Sequence, residues 1–157
     1  MTPAIDLIKK NKIKFTLHRY TPGCSEESYG EEAALALNIP SDRIFKTLVT
    51  ELNNDPTKLA VAFVPVNKQL DLKLFAQETG AKKVQMTTPA NAEKATGYVV
   101  GGISPLGQKK NLSVILDCSI QNFETIYFSA GKRGLQIEMT PRDLVKLAKG
   151  KVAVISR

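Results

Sequence analysis

Apolar and polar positions alternate along Arg43-Ile44-Phe45-Lys46-Thr47-Leu48-Val49-Thr50, and the residue types are β-branched or aromatic. That pattern predicts a strand. Ile44, Lys46, Leu48 and Thr50 share one face; Phe45, Thr47 and Val49 share the other. Lys46 therefore stands between two large apolar side chains. Two readings follow. Its stem lies along a half-buried strand with the ammonium in solvent, or the charge is held at the floor of a cleft to receive an anion.

The same periodicities place the other elements. Thr2-Pro3 reads as an N-cap followed by proline at the first helical position, opening a short helix that ends near residue 10. Ile13, Phe15 and Leu17 alternate with polar residues in a half-buried strand running toward Tyr20. Ser28-Tyr29-Gly30-Glu31 has capping-box spacing and starts a helix over 28–37. The turn cluster Asn53-Asn54-Asp55-Pro56 leads into 59–64, an almost continuous apolar run expected to be a central strand paired back on 43–50. Further helices are expected over 70–79, closed by Gly80, over 88–95, ended by Gly97, and over 140–149. Short strands are expected over 83–86, 112–116, 125–128, 135–139 and 152–155. Mixed hairpins and isolated helices predict one α+β domain over the whole chain, built on a mixed, strongly curved and partly barrel-like sheet with helices around it.

Composition narrows the class. The chain has 157 residues, 43% hydrophobic and 24% charged, as expected of a soluble globular domain. No apolar run approaches the ~20 residues of a membrane helix, and the N-terminus lacks the pattern of a secretory signal, so a cytoplasmic protein is expected. Cys24 and Cys118 are far apart and read as two free thiols in a reducing compartment. With one histidine and two cysteines, no metal-ligand spacing is present, and no metal or cofactor is expected. A formal net charge of +7, spread along the chain, favours a polyanionic partner.

Candidate chemistry is sparse in nucleophiles. His18 falls on the polar side of its strand with no orienting partner nearby in sequence, and reads as a surface histidine. There is no Gly-x-Ser-x-Gly elbow and no Cys–His pair suggested by spacing. The glycine-rich span Thr96-Gly97-Tyr98-Val99-Val100-Gly101-Gly102-Ile103-Ser104-Pro105-Leu106-Gly107 predicts an irregular loop flanked by strands. It is neither a Walker A loop nor a dinucleotide fingerprint. It is either a bulge or a place where bare backbone N–H groups approach a ligand. Lys132-Arg133, at the tip of a predicted hairpin, and Lys109-Lys110 could meet phosphates or be solvated surface charge. An enzyme built from these parts works by positioning and backbone donors, with Lys46 as a point cation for phosphate or developing negative charge.

Phe45-Lys46-Thr47-Leu48, the glycine loop from Thr96 to Gly107, and Gly131-Lys132-Arg133-Gly134-Leu135 occur together and in this order. In that combination the whole chain resembles the YbaK family of aminoacyl-tRNA deacylases, related to the editing insertion of bacterial prolyl-tRNA synthetases. The resemblance implies hydrolysis of the ester joining cysteine to the 3′-terminal adenosine of tRNA(Pro), in trans to prolyl-tRNA synthetase; a monomer is expected, though no residue pattern specifies it. It implies that Lys46 is essential and anchors the tRNA end. Tyr20, Thr47, Gly101, Gly102, Ile103, Ser104 and Pro105 would line the pocket, with Ser129 as a further member. It also implies that the substrate's own thiol attacks its carbonyl. Some relatives carry aspartate where this chain has Gln136, which can hydrogen-bond but carries no charge. The alternatives are a non-catalytic nucleic-acid or nucleotide binder, and the same fold acting on another ester such as Ala-tRNA(Pro).

Overall fold

Side-chain caps start all five helices of the computed structural model, which describes residues 1–23 and 28–157. Thr2, Ser28, Asp71, Thr88 and Thr140 each accept the N–H three residues on, which satisfies a donor the first turn would otherwise leave unpaired. The helices are α1 (Pro3–Lys10), α2 (Tyr29–Leu37), α3 (Leu72–Thr79), α4 (Pro89–Thr96) and α5 (Pro141–Ala148). The strands are β1 (Thr16–Arg19), β2 (Phe45–Leu52), β3 (Asp55–Pro65), β4 (Val84–Met86), β5 (Ser113–Asp117), β6 (Ile126–Ser129), β7 (Leu135–Met139) and β8 (Lys151–Ala153).

The expected single curved sheet is two sheets. One has the order β4-β2-β3-β5-β8 and the other β1-β7-β6. A parallel bridge between Ile44 and Tyr127 joins them, with the Tyr127 N–H donating to the Arg43 carbonyl at 3.1 Å. The strands of the described residues form no closed barrel. The mixed α+β class stands: β3 pairs antiparallel with β2 and parallel with β5.

β3 organises the interior. Val61 and Phe63 point into one core with Phe45, Leu116, Phe128 and Ile137, against α1 and α5. Ala60, Ala62 and Val64 point into a second core with Phe75 and Ile155. Period-2 alternation thus feeds apolar residues to both faces, which is why this strand reads as a continuous apolar run. Phe63 stacks on Phe45 with centroids 5.1 Å apart and meets Phe128 edge-on at 5.7 Å. Each such fully buried ring contributes about 1.5–3 kcal/mol by burial. The β2–β3 hairpin turns through Asn53 and Asn54, both left-handed, as the turn cluster predicts.

Two boundaries depart from expectation. β1 begins only at Thr16, which pairs with Glu138 of β7; Ile13 and Phe15 pack on the core without pairing. The glycine loop leaves a helix, α4, and not a strand, before entering β5.

Candidate active site

A gap in the edge of β2 makes the cleft. On the side away from β3, β4 covers only Thr50, Glu51 and Leu52, and β6 touches only at Ile44. Carbonyls alternate between the two edges of a strand. Arg43 accepts from Tyr127 and Val49 from Thr87 on this edge, and the bridge at Ile44 engages the N–H of Phe45, so the peptide group of Thr47, between the bridge and β4, faces the gap. Into the gap come the start of α2, the glycine loop, and the β6–β7 hairpin. The resulting cavity is about 270 Å³ and is bordered by Tyr29, Gly30, residues 44–48, Val100, Gly101, Ile103, Ser129 and Gln136.

Lys46 is half-buried, and burial holds its ammonium below the ordinary lysine pKa, with Glu31 pulling the other way. Its Nζ lies 3.5 Å from the Val66 carbonyl, a long contact, and no carboxylate pairs with it among the described residues. The cation is thus at the cleft with capacity to spare for an anion. Two other residues bordering the cavity hold buried polar atoms with no partner, Thr47 Oγ1 and Gln136 Oε1. An unpaired buried polar atom costs about 1–3 kcal/mol, so these two are the strongest mark of a missing polar ligand.

The loop is fixed from behind. Gly101 takes φ +99°, and a side chain there would meet the Tyr29 ring at 3.2 Å, so only glycine suits the position. Ser129 donates to the Gly102 carbonyl at 3.0 Å and accepts the Gly131 N–H at 3.1 Å. Ser104 and Pro105 are buried beneath the loop, with Gln108 donating to the Ser104 carbonyl at 3.0 Å. Tyr98 donates to the Leu106 carbonyl at 2.6 Å, and burial pushes its hydroxyl up to about 12, so it stays a neutral donor.

Of the residues expected in the pocket, Lys46, Thr47, Gly101, Ile103, Ser129 and Gln136 come together around one cavity. Gly102 lies with its carbonyl on Ser129 and borders a neighbouring hollow. Ser104 and Pro105 support the loop from below. Tyr20 packs behind, against Ala33, Ala34 and Ile44, beside Gln136, and burial raises its hydroxyl pKa.

Three features were not read from the sequence. The start of α2 is part of the cleft wall; Ser28-Tyr29-Gly30 showed only a cap. Arg133 grips Glu32 through two nitrogens, at 2.8 and 3.0 Å, and lies 5.0 Å over the Tyr29 ring, holding α2 against the hairpin tip. That contact, with Nη2 also donating to the Gly23 carbonyl at 2.7 Å, occupies a side chain that the sequence left open between phosphate contact and solvated surface charge. His18 is not an unpartnered surface residue: its Nε2 lies 2.9 Å from Glu138 Oε1, 120 residues away in the chain. Cys118 is a half-buried free thiol away from the cleft; Cys24 lies outside the described residues.

The model of the aminoacyl-tRNA editing domain family matches residues 26–147. This chain belongs to that family. A protein of Enterococcus faecalis with the provisional name Cys-tRNA(Pro)/Cys-tRNA(Cys) deacylase EbsC is 38% identical over 99% of this chain and 93% of its own. The multifunctional Ser/Thr-tRNA deacylase ProXp-y of Escherichia coli is 26% identical over 66% of this chain and 63% of its own. A proline–tRNA ligase of Streptococcus suis is 26% identical over 66% of this chain but only 16% of its own. The crystal structure of a hypothetical protein, APE2540, superposes with a TM-score of 0.87 at 24% identity, covering 99% of this chain and all of that one. The editing-domain protein is accordingly an aminoacyl-tRNA deacylase, a hydrolase of the ester between an amino acid and its tRNA. Among the described residues no helix is long and apolar enough to cross a membrane.

Proposed function

We propose that this editing-domain protein clears cysteine from Cys-tRNA(Pro), in trans to prolyl-tRNA synthetase. The observation that carries the reading is the meeting of Lys46 with two unpaired buried polar atoms in one cavity. The Lys46 ammonium holds the phosphate or ribose end of the terminal adenosine as a point cation. The peptide group of Thr47, with the Gly101–Ile103 side of the loop, binds the ester. Gln136 Oε1 accepts a hydrogen bond from the substrate ammonium. The E. faecalis relative supports the amino acid and the tRNA, and the matching stretch within a proline–tRNA ligase supports the partner.

No activated side-chain nucleophile faces the cavity among the described residues. Ser129 is engaged on both sides and has no histidine beside it. The substrate's thiol is then the attacking group. Its sulfur forms a bond to the ester carbonyl carbon, the bond to the ribose 3′ oxygen breaks, and the thiol proton ends on that oxygen. Free tRNA and a cyclic thioester leave, and water opens the latter to cysteine. Selectivity follows, since esters of alanine or proline lack the thiol, while size alone discriminates by only about 1–3 kcal/mol per methylene.

The test is a panel of aminoacyl-tRNA(Pro) esters carrying cysteine, serine, alanine and proline. Release of cysteine at least tenfold faster than serine is expected. Equal turnover of serine and cysteine would replace thiol attack with attack by water.

A further inference from the structure

The cleft opens into a string of hollows that are lined by unpaired lysines. Tyr29 and Val100 border both the cleft and a second hollow behind the glycine loop, where Lys132 is exposed. That hollow ends at the C-terminus of α4, where Lys109 and Lys110 are tied down through their backbone: their N–H groups donate to the Thr96 and Ala95 carbonyls, each at 2.9 Å. Lys109 and Lys110 then line a third groove, with Lys149, under α5. None of these four lysines pairs with a carboxylate among the described residues. The nearby carboxylates are already engaged: Glu93 accepts the Val100 N–H at 2.7 Å and Asp6 holds the N-terminal ammonium at 3.3 Å.

We propose that this line, Lys132 to Lys109 and Lys110 to Lys149, is the track along which the acceptor strand of the RNA runs away from the cleft. The proposal rests on the deacylase reading and adds the path of the nucleic acid. The occupant follows from the features in order. A terminal nucleotide in the cleft must be followed by a chain of phosphates, and the way along the Tyr29–Val100 wall meets a cation at each successive hollow. The lysines line concave hollows, the first sharing Tyr29 and Val100 with the cleft and the next reached where Lys109 lies beside Gly97, which suits a single narrow strand and not a flat anionic surface. Lys109 and Lys110 sit on a backbone anchored to α4, so their positions are set before the ligand arrives. Arg133 takes no part, because Glu32 occupies it.

The test compares wild type with the Lys109→Gln, Lys110→Gln, Lys132→Gln triple variant, with melting curves to confirm folding and Lys132→Gln alone as a milder variant. Binding of an unacylated acceptor-stem hairpin with a single-stranded CCA end is titrated against salt. Each phosphate contact contributes roughly 0.7–0.9 to the slope of log K on log salt, so the triple variant is expected to be shallower by roughly 2–2.7 and the single variant by about one third of that. On the acylated hairpin kcat/KM is expected to fall at least tenfold more than on the corresponding aminoacyl-adenosine. An unaltered salt slope, or equal losses on both substrates, would overturn the track. So would binding to anionic phospholipid vesicles with no binding to the hairpin. If wild type hydrolyses neither ester, the deacylase reading fails, and the salt slope on the unacylated hairpin still decides whether RNA runs along these lysines.

Discussion

Ser129 latches Gly102. The hydroxyl donates to the Gly102 carbonyl at 3.0 Å while accepting the Gly131 N–H at 3.1 Å, so one side chain ties the glycine loop to the hairpin turn. Ser129→Ala is expected to destabilise the protein by about 1 kcal/mol, the net value of one such bond. With Gly101 and Ile103 less firmly held, KM for the aminoacyl-tRNA is expected to rise several-fold while kcat changes less. Denaturant melts and steady-state kinetics check this. An unchanged KM would mean that packing against Tyr29 alone holds the loop.

Lys46 separates stability from activity. Its ammonium has no ion-pair partner among the described residues and is disfavoured by burial, so Lys46→Met is expected to leave stability within about 0.5 kcal/mol of wild type, or slightly higher. A lost charge-assisted contact is worth about 1.5–3 kcal/mol, so deacylation is expected to fall by roughly 10- to 160-fold. Wild-type turnover in a folded Lys46→Met protein would remove Lys46 from the chemistry.

The same residue sets an alkaline limit. Burial lowers its pKa in the folded protein, so the positive charge at the cleft is lost on raising pH before an ordinary lysine near ~10.4 would lose it. Activity is expected to fall along that limb, and Lys46→Arg, if active, should lack it. The sign for stability is opposite. The folded state holds this proton less tightly than the unfolded chain, so the penalty is fully present below the folded pKa. It is relieved as pH rises from there to the unfolded value. Lys46→Met should flatten that rise in alkaline melting curves.

Gly30 is packed too closely to tolerate a methyl group. A Cβ there would lie 2.4 Å from a Val66 methyl, which overpacking values place at about 1–3 kcal/mol, offset in part by the ~1 kcal/mol gain in helix propensity. The neighbouring Tyr29 moves with it, so Gly30→Ala is expected to raise KM as well. Val66→Ala should restore KM in the double variant, a coupling that a double-mutant cycle measures directly.

Gln136 carries an acceptor that nothing in the free protein uses. It is 6% exposed, with Oε1 unpaired. Gln136→Met, of similar length, is therefore expected to hold or raise stability while lowering kcat/KM at least tenfold. A loss of stability without loss of activity would make Gln136 a structural residue.

The elements were legible wherever the signal was local. Thr2, Ser28, Thr88 and Thr140 cap where their side chains say they should, while Asp71, expected inside its helix, is the cap; β3 is buried on both faces as its apolar run implies. Lys46 stood out by its place between Ile44 and Leu48. What failed depends on pairing across the chain. Ile13 and Phe15 have strand spacing, but only their side chains join the core and their backbone pairs with no strand. His18 looks isolated until Glu138 arrives from 120 residues away. The cleft itself has no sequence signature, because it is defined by where β4 stops and where β6 first touches β2. Tyr29 looked like the second residue of a cap for the same reason: only the folded chain puts α2 across that gap.

The two sheets meet along β2 through a single bridge at Ile44 and Tyr127. Beneath that bridge the two sheets share an interior, with Phe63 of β3 edge-on to Phe128 of β6. Prying the pocket walls apart would open that interior, so the bulk of acyl group admitted is tied to the stability of the whole domain.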